Sequence, residues 1–253
     1  VMNIKNGNSK IAIKSNPSTA RFSPEGEYAF GYNQVDSTWY TYNIKTSKYT
    51  ELTKGKVFYD ELNDSPDYPR SYGLAGWTKN DRKILIYDRY DIWEFNPDDA
   101  TSRRLTKGRE TKTSFRYVKL DSENRYIEDS GKMLMTTFNE ITKNSGYFEY
   151  NYRNKTGKQL KDGPYRYSTP IKARLTDNVI FSRQSFEEYP NIRISDLSFN
   201  GEIIVYENLN SIWQQRDTIS GPDYEYKIGK KLVTNYDGTI IAYSNYTYST
   251  STG

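Results

Sequence analysis

One segment holds four acidic residues within eight positions, beside a tyrosine and an arginine, and this pattern suits binding of a cationic group. The acidic residues are Asp60, Glu61, Asp64 and Asp67, followed by Tyr68 and Arg70. Paired carboxylates next to a ring face can hold the ammonium group at the amino terminus of a peptide. In the favoured alternative, the segment is a solvated acidic loop whose Asp and Asn side chains cap turns. We keep the six residues as candidate substrate-binding residues.

A second acidic candidate is the adjacent pair Glu187 and Glu188, within the sequence SFEEYP. Neighbouring side chains on a strand point to opposite faces, so both carboxylates would meet one ligand only where the backbone turns. A solvated turn between two strands is the favoured interpretation. The pair is kept as a further candidate for binding a peptide amino terminus.

The residue types exclude several kinds of active site. The chain has no Cys and no His, so cysteine nucleophiles, thiolate metal sites and Ser-His-Asp triads cannot form. The sequences DSPD and NPDD place oxygen atoms close together, but neither has the spacing of a calcium loop. Turn formation explains both. We expect no catalytic residue, no metal and no cofactor in this chain.

Charge and hydropathy also limit the partners. The net charge of +4 comes from 36 basic and 32 acidic residues that are interspersed, so no basic block predicts nucleic-acid binding. No apolar run approaches the roughly 20 residues that a membrane span needs. The first residues, VMNIKNGNSKIAIKSN, lack the apolar core of a signal peptide. We expect neither a nucleic-acid partner nor a membrane span.

The elements that must position these candidates follow an internal repeat of about 55 residues. The stretch from Phe22 to Gly55 is followed by a copy from Trp77 to Gly108, and both end in LTKG. By letters, Trp39 matches Trp93. Recurring aromatic residues in repeat proteins pack between the repeats, so we expect both tryptophans in a core rather than stacked on sugars or bases. A looser third copy begins near residue 120 and ends in QLKDG.

Within each copy, short runs alternate apolar and polar residues and are separated by turn sequences, which predicts strands. Tyrosine-rich strands suit sheet faces that are partly exposed to water. Little helix is expected beyond a turn in FYDELND. Two to four strands per repeat is the content of a β-propeller blade. We predict an all-β propeller, as one domain over 1–253, with about four to five blades. The approximate blades are 15–56, 72–109, 115–164 and 170–207, with 208–253 as a remainder. The long connection 56–76 is expected on a functional rim.

Particular stretches resemble a known family. FSPEGEYAF (22–30) is similar to a signature of Tol-type and prolyl oligopeptidase propellers. The stronger likeness is carried by FYDELNDSPDYPRSYGLAGWTKNDRKILIYDRYDIWEFNPD (58–98), FRYVKLD (115–121), FNE (138–140) and FSRQSFEEYPNIRISDLSF (181–199). In that order they resemble the N-terminal propeller of prolyl oligopeptidase-family serine peptidases. The likeness is to the dipeptidyl-peptidase and acylaminoacyl-peptidase branch of bacterial, Bacteroidetes type, and it covers about 15–210.

This resemblance implies an α/β-hydrolase domain as a partner, which is absent from this chain because no G-x-S-x-G motif occurs. The chain would then be inactive alone and would gate access and position peptides for a serine peptidase. The family has about seven or eight blades, so four or five would form part of a ring. Dipeptidyl-peptidase relatives hold the substrate with a Glu pair, but the surroundings of Glu187 and Glu188 do not match that motif. The resemblance also implies a periplasmic or secreted location.

Two other functions remain open on the sequence. One is a stand-alone Tol-type propeller that binds a peptide, a glycan or another protein. The other is a five-bladed glycoside hydrolase, which needs two carboxylates facing each other across a sugar. Spacing along the chain cannot pair them.

Overall fold

A computed structural model gives the fold and describes a large part of the chain. The described residues are 2, 4–9, 11–13, 20–199, 203–204, 207–209, 212–214, 232–234 and 241–243. Strands predominate among them. The helical elements in these ranges are α1 (Gly108–Thr111) and a short 3-10 turn (Lys79–Asp81). The prediction of an all-β chain with little helix is therefore confirmed.

Three sheets of four strands follow one another along the chain. Sheet 1 contains β1 (Arg21–Phe22), β2 (Tyr28–Asn33), β3 (Thr38–Asn43) and β4 (Tyr49–Glu51). Sheet 2 contains β5 (Leu74–Trp77), β6 (Ile84–Tyr87), β7 (Ile92–Phe95) and β8 (Ser102–Arg104). Sheet 3 contains β9 (Thr113–Tyr117), β10 (Lys132–Asn139), β11 (Ser145–Asn151) and β12 (Thr156–Gly163). In each sheet the spatial order follows the chain order, as in a propeller blade.

Further strands follow sheet 3. Sheet 4 contains β13 (Arg166–Tyr167), β14 (Ile171–Lys172), β15 (Val179–Gln184), β16 (Asn191–Ser195) and β17 (Ile203–Ile204). Both β13 and β14 pair with β15 in antiparallel register. Two two-stranded sheets come next, formed by β18 (Glu207–Leu209) with β19 (Ile212–Gln214) and by β20 (Leu232–Thr234) with β21 (Ile241–Tyr243).

The chain divides into two compact units. The first comprises 1–117, 123–141 and 148–158, and the second comprises 118–122, 142–147 and 159–253. Sheets 1 and 2 lie wholly in the first unit. The sequence-based division into one domain over 1–253 with numbered blades stays a prediction.

Sheet 2 is buried on both faces because its strands alternate between two cores. Ile84, Ile86 and Phe95 pack with sheet 1 residues in one core. Leu85 and Ile92 pack in the other core with residues of β9, β10 and the end of β11. Each buried Ile or Leu side chain contributes about 2 kcal/mol through removal of apolar surface from water. The near-continuous apolar sequence of β6 follows from this double burial.

The recurring LTKG sequence has a structural cause, which also corrects the match between the tryptophans. The backbone N–H of Trp39 donates to Thr53 Oγ1 at 2.9 Å, and the backbone N–H of Ile92 donates to Thr106 Oγ1 at 3.2 Å. Trp39 therefore corresponds to Ile92, and matching it to Trp93 is wrong by one residue. Both tryptophans nevertheless contact the core between sheets 1 and 2, so the expectation of core packing is confirmed.

A buried carboxylate joins sheets 1 and 2 at the end of the strands where β1 turns into β2. Asp81 accepts a hydrogen bond from Ser23 Oγ at 2.5 Å and others from the backbone N–H groups of Glu25 and Glu27. A buried carboxylate is stable when such donors replace its water. This end of the first unit is fixed by charge-assisted hydrogen bonds between the two sheets.

Candidate functional site: the polar rim of the first unit

The candidate residues 60–70 lie at one end of the strands. We call this end of the first unit the rim. In an antiparallel meander, the chain entering the first strand and the turn between the second and third strands lie at the same end. For sheet 2 these are the connection 56–73 and the turn 88–91. The connections and turns at this end of the first unit carry a network of acidic, basic and tyrosine side chains.

Asp88 shapes the turn between β6 and β7. Its Oδ1 accepts the N–H groups of Tyr90 at 2.8 Å and Asp91 at 2.5 Å. Its Oδ2 accepts the indole N–H of Trp93 at 3.1 Å. An Asp that bonds the backbone two or three residues later sets a tight turn. The buried Asp88 therefore fixes both the turn and the tryptophan beside it.

Asp91 is fully buried and ties the turn between β6 and β7 to the connection between β8 and β9. Its carboxylate accepts the Thr106 hydroxyl at 2.6 Å, the Gly108 N–H at 2.5 Å and the Arg109 N–H at 3.2 Å. Burial raises the pKa of Asp91, although the hydrogen bonds from Thr106 and Gly108 act in the opposite direction. With its oxygens occupied in this way, Asp91 serves to position the segment that carries Arg109.

Arg109 links the acidic connection to sheet 2. Its guanidinium donates to both carboxylate oxygens of Glu61, at 2.6 and 3.2 Å, and approaches Asp88 Oδ2 at 3.4 Å. It also lies 5.3 Å from the centre of the Tyr90 ring. The hydrogen bonds to Glu61 are the main cause that raises the pKa of Arg109. Glu61, a candidate for binding an ammonium group, is thus already paired with a cation.

Glu140 completes the network from sheet 3. Arg89 donates to its two oxygens at 3.2 and 2.8 Å, and the Tyr90 hydroxyl donates at 2.8 Å. Burial opposes ionisation of Glu140, but the hydrogen bonds from Arg89 and Tyr90 outweigh it and lower its pKa. The Tyr90 ring therefore lies beside two guanidinium groups, Arg89 and Arg109.

The other candidates in the connection cap turns or lie exposed. Asp60 Oδ1 accepts the Leu62 N–H at 3.0 Å and the Tyr72 hydroxyl at 3.2 Å. Asp67 Oδ1 accepts the Tyr68 N–H at 2.8 Å. Asp64, Asp67, Tyr68 and Arg70 are solvent-exposed. The turn-capping interpretation thus describes Asp60 and Asp67, and the exposed side chains stay accessible to a ligand.

Glu187 and Glu188 lie in the turn between β15 and β16, in the second unit. Glu187 is exposed. Glu188 is held by Arg183 at 2.8 Å, by Asn191 Nδ2 at 2.7 Å and by Arg193 at 3.2 Å. Burial opposes its ionisation, but these donors outweigh it and lower its pKa. The two neighbouring carboxylates therefore have different surroundings, and the solvated-turn interpretation describes Glu187 alone.

The carboxylates of the rim network are engaged by groups of the protein itself. Asp88, Asp91, Glu61 and Glu140 all accept hydrogen bonds from protein donors, so their carboxylates orient the rim. No group of three or more carboxylates suited to a metal ion occurs among the described residues. Within the same part of the chain, no helix is long and apolar enough to span a membrane.

Sequence reasoning missed the basic partners of these carboxylates, which are Arg89 and Arg109 in the first unit and Arg183 and Arg193 in the second. In the rim network the partners are distant along the chain: 48 residues separate Arg109 from Glu61, and 51 separate Arg89 from Glu140. One local signal was present. Two acidic residues three positions apart at a strand–turn–strand junction, as in YDRYDIW, indicate a turn organised by carboxylates.

Comparison with known proteins gives the fold. No family model matches this sequence, and no curated protein matches it. A crystal structure assigned as a dipeptidyl aminopeptidase IV from Bacteroides ovatus is 14% identical with a TM-score of 0.51, and the match covers 95% of this chain and 35% of that one.

Two further structures are more distant. Oligogalacturonate lyase from Vibrio parahaemolyticus is 12% identical with a TM-score of 0.49, covering 73% of this chain and 50% of that one. TolB from Acinetobacter baumannii is 14% identical with a TM-score of 0.39, covering 79% of this chain and 46% of that one. This chain thus spans about half or less of the length of these three structures.

The likeness to the Bacteroides ovatus structure establishes the fold. Together with the successive four-stranded sheets, it confirms the predicted β-propeller. The resemblance of the sequence to peptidase-family propellers is confirmed at the level of the fold.

Proposed function

We propose that this chain is the propeller portion of a prolyl oligopeptidase-like serine peptidase, in which it admits and orients peptide substrates. The observation that carries the proposal is the fold match, which covers 95% of this chain and 35% of the Bacteroides ovatus protein. The remaining length of a protein of that kind would supply the hydrolase domain. Bond cleavage would take place there.

The residues of the chain support a non-catalytic role. Neither His nor Cys occurs, so the chain holds neither the base nor the thiol that acyl-transfer chemistry uses near neutral pH. The buried carboxylates of the rim serve as acceptors for backbone, hydroxyl and guanidinium donors. What the rim offers to a peptide is its exposed set of side chains: Asp64, Asp67, Tyr68 and Arg70.

Exposed carboxylates beside an aromatic ring suit a weak, orienting interaction with a peptide amino terminus. Weak contacts fit a gating role because the peptide must pass on to the hydrolase site. A ring of blades over such a site would admit thin, flexible chains and exclude folded proteins. Asp67 and Tyr68 are adjacent and both exposed, and we propose them as the first contacts of an entering peptide.

Enzyme assays test the non-catalytic role. The purified chain should not hydrolyse dipeptidyl or aminoacyl reporter substrates. Hydrolysis that survives purification and a serine-directed inhibitor would falsify the proposal. A coding region downstream of Gly253 with G-x-S-x-G followed by Asp and His would support it directly.

Peptide binding tests the orienting role. A labelled unstructured peptide with a free amino terminus should bind more tightly than its acetylated form, and Asp67→Asn should reduce that difference. Glu128→Gln is the matched control, since Glu128 is also exposed but lies in the β9–β10 connection at the other end of sheet 3. Equal binding of both peptides to the unaltered chain would count against orientation by the amino terminus. Tight binding of a glycan or a folded protein would instead favour the stand-alone Tol-type module.

A further inference from the structure

The rim connection contains a segment that is closed on itself. Tyr59 and Ser71 form an antiparallel bridge, and the Asp60 N–H donates to the Arg70 carbonyl at 2.7 Å. The Tyr72 hydroxyl accepts the Glu61 N–H at 2.8 Å. A loop whose ends are tied together behaves as one compact body. We call residues 61–69 the flap.

The base of the flap is fixed to the core. The Phe58 side chain is 2% exposed, and its ring lies 5.8 Å from that of Trp93 and 5.4 Å from that of Phe95. On the other side of the flap, Gly73 has a φ of +104°, a conformation that glycine adopts without steric cost. Small residues beside a compact segment are common positions for a hinge.

Two polar contacts fasten the flap to the sheets within the described part of the first unit. The Glu61 carboxylate accepts both hydrogen bonds from Arg109, and the Pro69 carbonyl accepts the Tyr32 hydroxyl at 3.1 Å. The tip itself is exposed, with Leu62 at 65% and Tyr68 at 55%. The flap is therefore held by one ion pair and one neutral hydrogen bond.

Arg109 has a second acceptor in place. Asp88 Oδ2 lies 3.4 Å from the same guanidinium nitrogen that donates to Glu61, and the Tyr90 ring lies beside the group. If Glu61 leaves, the guanidinium keeps a carboxylate and a ring face as partners. Glu61, already partly exposed, would enter water. Neither the Glu61 carboxylate nor the Arg109 guanidinium would then lie unpaired in an apolar environment. Separation of an ion pair is costly when it leaves a charge buried and unpaired.

We propose that the flap opens away from the rim when Arg109 releases Glu61 and keeps its contact with Asp88. Opening would expose the face of the flap that now meets the sheets and would free the Glu61 carboxylate. If the proposed function holds, this motion adjusts the entrance through which a peptide passes. The motion itself does not depend on that function.

The absence of Cys from the sequence permits a direct distance measurement. Spin labels on Leu62→Cys and Lys107→Cys, both exposed residues of the first unit, report the position of the flap by double electron–electron resonance. Glu61→Gln keeps the side-chain shape but removes the charge, and should raise the ratio of open to closed populations about two- to fivefold. Higher salt should raise it in the unaltered chain and much less in Glu61→Gln.

Matched variants make the result decisive. Arg82 lies in the β5–β6 connection, at the end of sheet 2 opposite the flap. Arg82→Ala removes its ion pair with Asp129 and should leave the distance distribution unchanged. Tyr32→Phe removes the neutral contact and should also favour the open state, without changing the salt dependence. The proposal is overturned if Glu61→Gln keeps the original distribution, or if Arg82→Ala shifts it as strongly. Because no peptide is present, this outcome is separate from that of the binding and hydrolysis assays.

Discussion

Sheets 1 and 2 share the LTKG sequence and the hydrogen bond that its threonine accepts. They differ at the residue directly before the one that donates this hydrogen bond. In sheet 1 this residue is Thr38, whose buried hydroxyl has no hydrogen-bond partner among the described residues. In sheet 2 it is Asp91, which accepts hydrogen bonds from Thr106, Gly108 and Arg109. The repeated residues thus maintain the core of each sheet, whereas an unrepeated residue organises the rim.

The largest expected effect comes from removing this difference. Asp91→Ala should lower the free energy of unfolding by about 3–5 kcal/mol, because it leaves buried donors unpaired. Thr38→Ala at the corresponding position should cost about 1 kcal/mol or less. Urea denaturation of the two variants measures both values. Equal losses would show that the two positions do the same work.

The two glycines of LTKG provide a second contrast. A Cβ on Gly108 would lie 1.9 Å from the Thr113 carbonyl oxygen, so Gly108→Ala must displace backbone and should cost about 3 kcal/mol. Gly55 has a φ of +71° but open space around it, so Gly55→Ala should cost about 1–2 kcal/mol. Thermal unfolding followed by circular dichroism ranks them. A larger loss at Gly55 would contradict the close approach at Gly108.

Replacing the LTKG threonine should also destabilise sheet 2 more than sheet 1, but by a smaller amount than the replacements above. Thr53→Val leaves the Trp39 N–H without its acceptor, at a cost of about 1–2 kcal/mol. Thr106→Val does the same to Ile92 and also removes a donor from Asp91, so about 1 kcal/mol more is expected. A double-mutant cycle of Thr106→Val with Asp91→Ala should show coupling. Additive losses would separate the threonine from the rim network.

The smallest effect is a dependence of stability on pH. Burial raises the pKa of Asp91 above its ordinary 3.8, so the folded state binds more protons than the unfolded state between these two values. Its contribution to stability is full below the unfolded pKa and is lost as pH rises through the folded one. Asp91→Asn should remove this slope from unfolding curves recorded across the acidic range.

Glu140 serves as the opposite control for that measurement. Its folded pKa is lower than its ordinary 4.5, so its contribution is present above the unfolded value and is lost as pH falls through the folded one. Glu140→Gln should therefore change the slope in the other direction. The same sign for both variants would refute the assignment of burial to Asp91 and of ion pairing to Glu140.

The sequence predicted the strands and the fold well because both depend on local patterns. Alternating runs such as KILIYD and turn sequences such as NPDD carry their structure within a few residues. The residue correspondence between repeats was harder to predict. The hydrogen bond to the LTKG threonine spans 14 residues in both repeats, whereas Trp93 lies only 13 residues before Thr106, so matching identical letters placed Trp39 one residue out of register.

The site was only partly predictable. Acidic clustering pointed to the connection that carries Glu61, but nothing near Glu61 in the sequence indicates Arg109. The pair forms because the connections that enter and leave sheet 2 meet at the same end of its strands. Predicting it would require knowledge of how the strands are arranged and in which register they pair. The pairing of Glu188 with Arg183 and Arg193 likewise depends on the registry of β15 with β16.

The burial of sheet 2 on both faces affects how the first unit comes apart. In a row of repeats, stability is the sum of the terms for each repeat and for each interface between neighbours. Unfolding sheet 1 breaks the interface with sheet 2, whereas unfolding sheet 2 breaks that interface and the one with sheet 3. Partial opening should therefore begin at sheet 1, and the amides of β6 should exchange with solvent only when the whole unit unfolds. Native-state hydrogen exchange would reveal this order as a gradient of protection that peaks in the middle repeat.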